Sequence, residues 1–179
     1  MATKKLSSVH SQKVIFFGKI TVLTRRYEAG AMKPIILYAS KGGNTGKIAD
    51  EIAQELNCKS VRVTQSGLES SADLDNYDLI FVGTGIHYGN PNEDLVDYLK
   101  TITLKTPKVF ALFVTWGGAG KTNQDVIAKL KTILETKGQR VIVDCFACYG
   151  GWNFLRRGHP NHEDAKAARN WAKKTVNTI

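Results

Sequence analysis

Three uninterrupted apolar runs constrain this chain most: Pro34 to Ala39 (PIILYA), Asp78 to Thr84 (DLIFVGT) and Lys108 to Thr115 (KVFALFVT). Each is too short for a buried helix and is bounded by loop residues, so each reads as a strand covered on both faces. Such strands need helices above and below them. The intervening sequence supplies these. Between Thr45 and Leu56 the apolar residues Ile48, Ala49, Ile52, Ala53 and Leu56 recur at three-or-four spacing, the mark of a helix with one buried stripe. Asn90, Pro91 and Glu93 read as a cap, a first-turn proline and an acid at the start of a second helix running through Leu95, Val96, Leu99 and Ile102. Val126, Ile127, Leu130, Ile133 and Leu134 form a third stripe that ends at Lys137-Gly138. Asn161 with Asp164 opens a fourth helix carrying Ala165, Ala168, Trp171, Ala172 and Val176.

Two further strands complete the pattern. Val61 and Val63 alternate with Ser60 and Arg62, the half-exposed signature of an edge strand, and Arg140 to Cys148 reads as a fifth strand. Strands alternating with helices imply a parallel sheet with right-handed crossovers, hence an α/β three-layer sandwich. In such sheets ligands bind beyond the carboxyl ends of the strands. The loops after Ala39, Thr84 and Thr115 are therefore the candidate site.

The chain's 179 residues suffice for one such domain, and its three cysteines are too few for a disulfide framework. No apolar run is long enough to span a membrane, so a reduced, cytoplasmic protein is expected. The net charge is +9, but residues 1–31 hold six basic residues against one acid, and the remainder carries only +4. This basic amino-terminal extension is expected to lie outside the fold, which leaves 32–179 as the domain. Three readings of it stand open: translated upstream sequence ahead of Met32, a transit peptide, or a structural extension whose residues 14–24 pair as a hairpin. Without it the domain is only mildly basic and has no basic stripe interleaved with aromatics, which argues against a nucleic-acid module.

The first loop, Ser40-Lys41-Gly42-Gly43-Asn44-Thr45-Gly46, runs from a buried strand into a helix start. Unpaired backbone N–H groups, the positive end of the helix dipole, two adjacent glycines and the Ser and Thr hydroxyls make it an anion cradle suited to a phosphate monoester. It is not a P-loop, because Gly46-Lys47 is followed by Ile48, and it lacks the spacing of a dinucleotide fingerprint. The segment ILYASKGGNT resembles the phosphate-loop signature of the flavodoxin family, with Ile36, Leu37, Tyr38, Ser40, Gly43 and Thr45 at its constrained positions. The resemblance extends from Met32 nearly to the end of the chain. It implies a five-stranded parallel sheet of order 2-1-3-4-5 and an FMN cofactor whose phosphate is held by Ser40, Gly42, Asn44 and Thr45, with Lys41 and Gly43 in the same loop. Gly42 stands where many members carry a Thr, so one hydroxyl contact is missing.

By the same resemblance the second loop, Thr84, Gly85, Ile86, His87, Tyr88 and Gly89, borders the flavin ring. Tyr88 then either stacks on the ring or plugs the sheet end, and the carbonyls of Gly85 and Gly89 are candidate acceptors for a flavin N–H. The third loop, Thr115, Trp116, Gly117 and Gly118, offers Trp116 to the other ring face or to the rim of the core. Cys145 and Cys148 are read as structural, because residues three apart on a strand face opposite ways. Tyr149 to Pro160, with three aromatics and three basic residues, reads as either a partner-facing rim or a solvated loop. The resemblance implies an electron carrier that works with redox partner proteins, as a monomer or weak dimer. An FMN-dependent oxidoreductase is the alternative, because the Gly-Thr-Gly-Ile-His-Tyr-Gly segment is similar to a stretch of protoporphyrinogen-oxidase-like proteins, and quinone reductases share the cofactor. A receiver-type signalling domain is excluded, because these loops lack an acidic cluster for magnesium.

Overall fold

A computed structural model describes residues 32–118, 120–151, 154 and 156–179. The expectations for residues 1–31, including the hairpin at 14–24, lie outside the described residues. The three apolar runs form β1 (Pro34–Ala39), β4 (Leu79–His87) and β6 (Val109–Trp116). They lie side by side and parallel, in register from Pro34 opposite Leu79 and Leu79 opposite Val109. The edge strand is β2 (Lys59–Thr64), parallel to β1 and followed by the two-residue antiparallel β3 (Gly67–Leu68). The order across the sheet is β3-β2-β1-β4-β6-β7, with β7 at Arg140–Val141, which is the expected 2-1-3-4-5 once the short hairpin strands are set aside.

Period-two alternation sends successive residues of each central strand into different cores. Ile35, Leu37, Ile80, Val82, Phe110 and Leu112 pack under α2 (Glu93–Thr101) and α3 (Thr122–Thr136). Ile36, Leu79, Phe81, Ala111 and Phe113 pack under α1 (Asn44–Leu56) and α4 (His162–Thr178). Trp171 on α4 contacts the rings of Phe81, Phe113 and Phe146, the Phe81 pair edge-on at 5.4 Å. Arg169 of α4 pairs with Glu51 and Glu55 of α1, tying the two helices together on that face.

Two expectations about boundaries are corrected. The run Arg140 to Cys148 is not one strand but β7 (Arg140–Val141) and β8 (Phe146–Tyr149), both paired with β6. Between the pairs Phe110–Val141 and Phe113–Phe146, β6 advances three residues while its partner advances five, so two residues bulge out. Trp171 Nε1 donates to the Asp144 carbonyl at 3.0 Å and Lys174 Nζ to its carboxylate at 2.8 Å, which holds the bulge in place. The second correction concerns Asn90 and Pro91, which form β5, antiparallel to the end of β4. The cap of α2 is Asn92, whose side chain accepts from the Asp94 N–H at 2.9 Å. The two cysteines do not share a strand as expected: Cys145 lies in the bulge ahead of β8 and packs on one core, while buried Cys148 lies in β8 and packs on the other; burial pushes the Cys148 thiol up to about 12.

Candidate functional site

The strand order reverses between β1 and β4, so the carboxyl ends of these strands diverge and leave a cleft at the switch point. Its volume is about 190 Å³. It is lined by Ser40, Gly42, Asn44 and Thr45 from the first loop, Gly85 to Tyr88 from the second, Thr115 to Gly117 from the third, and Gly150 and Gly151 from a fourth.

The first loop leaves α1 bare at its amino end. Gly43 occupies the cap position with φ of 82°, a left-handed conformation that favours glycine, and among the described residues no side chain caps the helix. No acid occupies the first turn. A Cβ on Gly42 or Gly43 would meet nothing within 4 Å, so open space lies over the bare N–H groups. Ser40 and Thr45 are both buried, and Thr45 Oγ1 lies 2.8 Å from Thr115 Oγ1, linking the first loop to the third. Asn44 Nδ2 donates to the Gly151 carbonyl at 2.8 Å, and Arg62 Nη2 donates to the Ser40 carbonyl at 2.9 Å.

The second loop is a hairpin tip. β4 and β5 pair through Ile86–Pro91 and His87–Asn90, and the two residues between them, Tyr88 and Gly89, have φ of 50° and 76°. Two successive positive angles are those of a type I′ turn, whose twist matches the flanking strands. Tyr88 is 95% exposed at this tip, so it does not plug the sheet end. Thr84 is fully buried: its hydroxyl accepts from the Asn92 N–H at 2.9 Å and donates to the Gly85 carbonyl at 3.0 Å. It pins the loop to the start of α2 instead of lining the cleft. Burial, and then the neighbouring Lys41 charge, hold His87 below the usual imidazole range.

In the third loop Trp116 stacks on Tyr149 of β8, with centroids 6.0 Å apart and planes at 25°. Arg156 lies over the same tyrosine at 4.0 Å, and His159 meets it edge-on while bonding Asp164 at 2.5 Å. A Cβ on Gly118 would stand 2.8 Å from the Tyr149 ring, so only glycine lets this loop close on the stack.

Of the expected site residues, Lys41, Gly43, Thr84, Gly89 and Gly118 support the cleft without lining it. Gly150, Gly151 and Arg62 are contributors that the sequence reading missed. Gly150 is close-packed against the first loop, since a Cβ there would lie 3.0 Å from Asn44 Nδ2. The glycine pair after an apolar run was the available signal. Arg62 offered none, because an alternating strand gives no sign of which outward residue reaches a neighbouring loop.

These features define a doubly wound α/β protein with an uncapped helix start beside a cleft at its topological switch point. The sequence model of the flavodoxin domain matches residues 35–154, and the chain belongs to that family. It is therefore a flavodoxin-like flavoprotein, and membership implies a flavin cofactor. It is 32% identical over 154 residues to the uncharacterized protein MJ0298 of Methanocaldococcus jannaschii, covering 81% of this chain and 99% of that one. It is also 32% identical to the flavodoxin-like domain-containing protein BilS of Clostridioides difficile, over 66% of each chain. Solved structures of similar fold include oxidised flavodoxin 1 from Bacillus cereus, with TM-score 0.62 at 23% identity, covering 82% of this chain and 99% of that one. A WrbA-like flavodoxin from Agrobacterium tumefaciens gives a TM-score of 0.65 at 16% identity, covering 82% and 96%. Among the described residues no helix is long and apolar enough to cross a membrane, and no cluster of side chains is suited to a metal ion.

Proposed function

We propose that residues 32–179 form an FMN-binding electron carrier serving redox partner proteins. The observation that carries this reading is the bare start of α1: a helix of 13 residues with no side-chain cap and no first-turn acid, opening onto free space beneath a cleft. Four orphan N–H groups there suit the terminal phosphate of FMN, and the dipole favours its negative charge. Ser40, Gly42, Asn44 and Thr45 would hold that phosphate. The donor set fits a dianion: hydroxyls, an amide and backbone N–H groups, with Lys41 and His87 nearby and, among the described residues, no carboxylate lining the cleft.

Bound FMN supplies reversible one- and two-electron chemistry, and the protein sets its potential and access. The exposed Tyr88 ring and the Trp116 ring, fixed by its stack on Tyr149, are the aromatic surfaces that would flank the flavin. Gly85 and Gly89 are the proposed carbonyl acceptors for a flavin N–H. Gly85 is held in the β4–β6 ladder opposite Thr115 and already accepts the Thr84 hydroxyl, whereas Gly89 lies in a turn whose geometry depends on its own positive φ. Gly89→Ala should therefore shift the potential of the loaded protein more than any change that leaves the turn intact.

The reading is tested by reconstituting the purified chain with FMN and titrating it with a reductant. Tight uptake with reversible reduction, and little turnover of NAD(P)H with quinones, supports a carrier. Rapid quinone turnover by the same sample would move the assignment to an FMN-dependent oxidoreductase.

A further inference from the structure

The alternation of β4 has a consequence at its far end. Leu79 and Phe81 face α1 and α4, while Ile80 and Val82 face α2 and α3. Continuing by twos, Gly83, Gly85 and His87 fall on the α1 side, above the bare helix start. The crowding at Gly85 confirms it: a Cβ there would lie 3.3 Å from His87 Nε2 and 3.3 Å from Thr45 Oγ1. The imidazole and the second residue of α1 thus converge on one point, and glycine at 85 leaves the ring room to fold back over the first loop. Neither ring nitrogen has a hydrogen-bond partner among the described residues.

We propose that His87 is a binding residue for the cofactor's phosphate, and that it takes up one proton from solvent as the dianion settles on the start of α1. This rests on the FMN reading above. The groups around the ring give the direction. Lys41 of the first loop is the charge that acts on it, and with burial it disfavours the imidazolium. Thr45 of α1, Thr115 of β6 and Asn90 of β5 are uncharged, and Lys129 of α3 points its ammonium at Asn90 Oδ1 at 3.4 Å. Among the described residues no carboxylate faces the ring to hold a proton on it in the free protein. A phosphate dianion beside Nε2 offsets the Lys41 repulsion and adds a charge-assisted hydrogen bond to the protonated ring. Lys41 and His87 then close on the phosphate from the side opposite the helix.

The test is calorimetric titration of the full chain with FMN near neutral pH in two buffers of different ionisation enthalpy, which counts protons exchanged. The phosphate is already largely dianionic there, its second pKa being about 6. Wild type should take up a substantial fraction of a proton with FMN and none with riboflavin, which lacks the phosphate. Its FMN affinity should weaken from about pH 7 to about pH 8, by at most about tenfold. His87→Gln should abolish the uptake and weaken FMN binding near neutral pH by a larger factor than it changes riboflavin binding. His87→Lys should abolish the uptake yet bind FMN tightly at both pH values, which a merely structural role for the imidazole does not predict. The His87 ring resonances, followed by NMR with and without FMN, should titrate at higher pH in the complex. FMN binding without proton uptake, or uptake that persists in His87→Gln, overturns this proposal alone. Failure of wild type to bind FMN, or equal affinity for riboflavin and FMN, overturns the phosphate-cradle reading and this proposal with it.

Discussion

The amino ends of α1 and α4 begin from the same physics and are finished in opposite ways. α4 closes its orphan N–H groups with a full capping box: the Asn161 side chain accepts from the Asp164 N–H at 3.0 Å, and the Asp164 carboxylate accepts from the Asn161 N–H at 2.8 Å. Glu163 adds a second first-turn acid. α1 has a glycine at the cap position, no side-chain partner and no acid. A cap contributes about 1 kcal/mol and a well-placed acid about 0.3–1 kcal/mol, so α1 forgoes stabilisation that α4 takes. The uncapped end of α1 under the cleft is the feature on which the proposed phosphate site rests.

The contrast is broken most severely by supplying α1 with its own anion. Gly42→Asp, at an open position with no positive φ, places a carboxylate in the cradle. Like charges brought together there cost several kcal/mol, so FMN affinity should fall by roughly a hundredfold or more while the unliganded protein melts no lower than wild type. Fluorescence titration with FMN and a thermal melt of the unliganded chain separate the two effects.

Next in size is Gly83→Ala, on the same face of β4 but inside the core, where the new Cβ would lie 2.0 Å from the Phe113 ring. Overpacking should cost about 1–3 kcal/mol and lower the melting temperature whether or not FMN is present. Open space at Gly42 and none at Gly83 is the difference between a site glycine and a packing glycine.

Removing the α4 cap sharpens the comparison from the other side. Asn161→Ala should cost about 1 kcal/mol in denaturant melts and lower FMN affinity far less than Gly42→Asp, because Asn161 does not line the cleft. The smallest effect is expected from Lys41→Gln. Removing one cation from the exposed rim makes the reduced, more negative flavin harder to form, so the potential of the loaded protein should become more negative by roughly 10–40 mV, the equivalent of a surface charge contribution of about 0.2–1 kcal/mol. A redox titration reads it. Lys41, His87, Lys121, Arg156 and Arg157 as a set should likewise give this chain a less negative second reduction step than an acidic relative.

What was legible in the sequence follows from where periodicity carries information. β1, β4 and β6 are strands buried on both faces, so their composition alone identifies them, and the first loop stood out as a cleft wall because glycines, hydroxyls and an asparagine sit together after such a strand. Periodicity failed where tertiary partners decide. Pro91 looks like a first-turn proline, but it pairs with Ile86 in a hairpin and is buried, which moves the cap to Asn92. The run from Arg140 reads as continuous because its bulge contains Val143, apolar yet 87% exposed, and depends on bonds from Trp171 and Lys174, about thirty residues away. Thr84 was expected among the cofactor contacts, and its neighbours gave no hint that its hydroxyl would be taken up by Asn92. Gly150, Gly151 and Arg62 reach the first loop across the sheet, and no local pattern records such a contact.

The central claim is that the uncapped start of α1 holds the phosphate of FMN. Equilibrium titration of the purified chain with FMN and, in parallel, with riboflavin tests it most directly. A yellow complex of one FMN per chain is expected, with riboflavin bound far more weakly. A chain that stays colourless with FMN, or that binds the two flavins equally well, would contradict it.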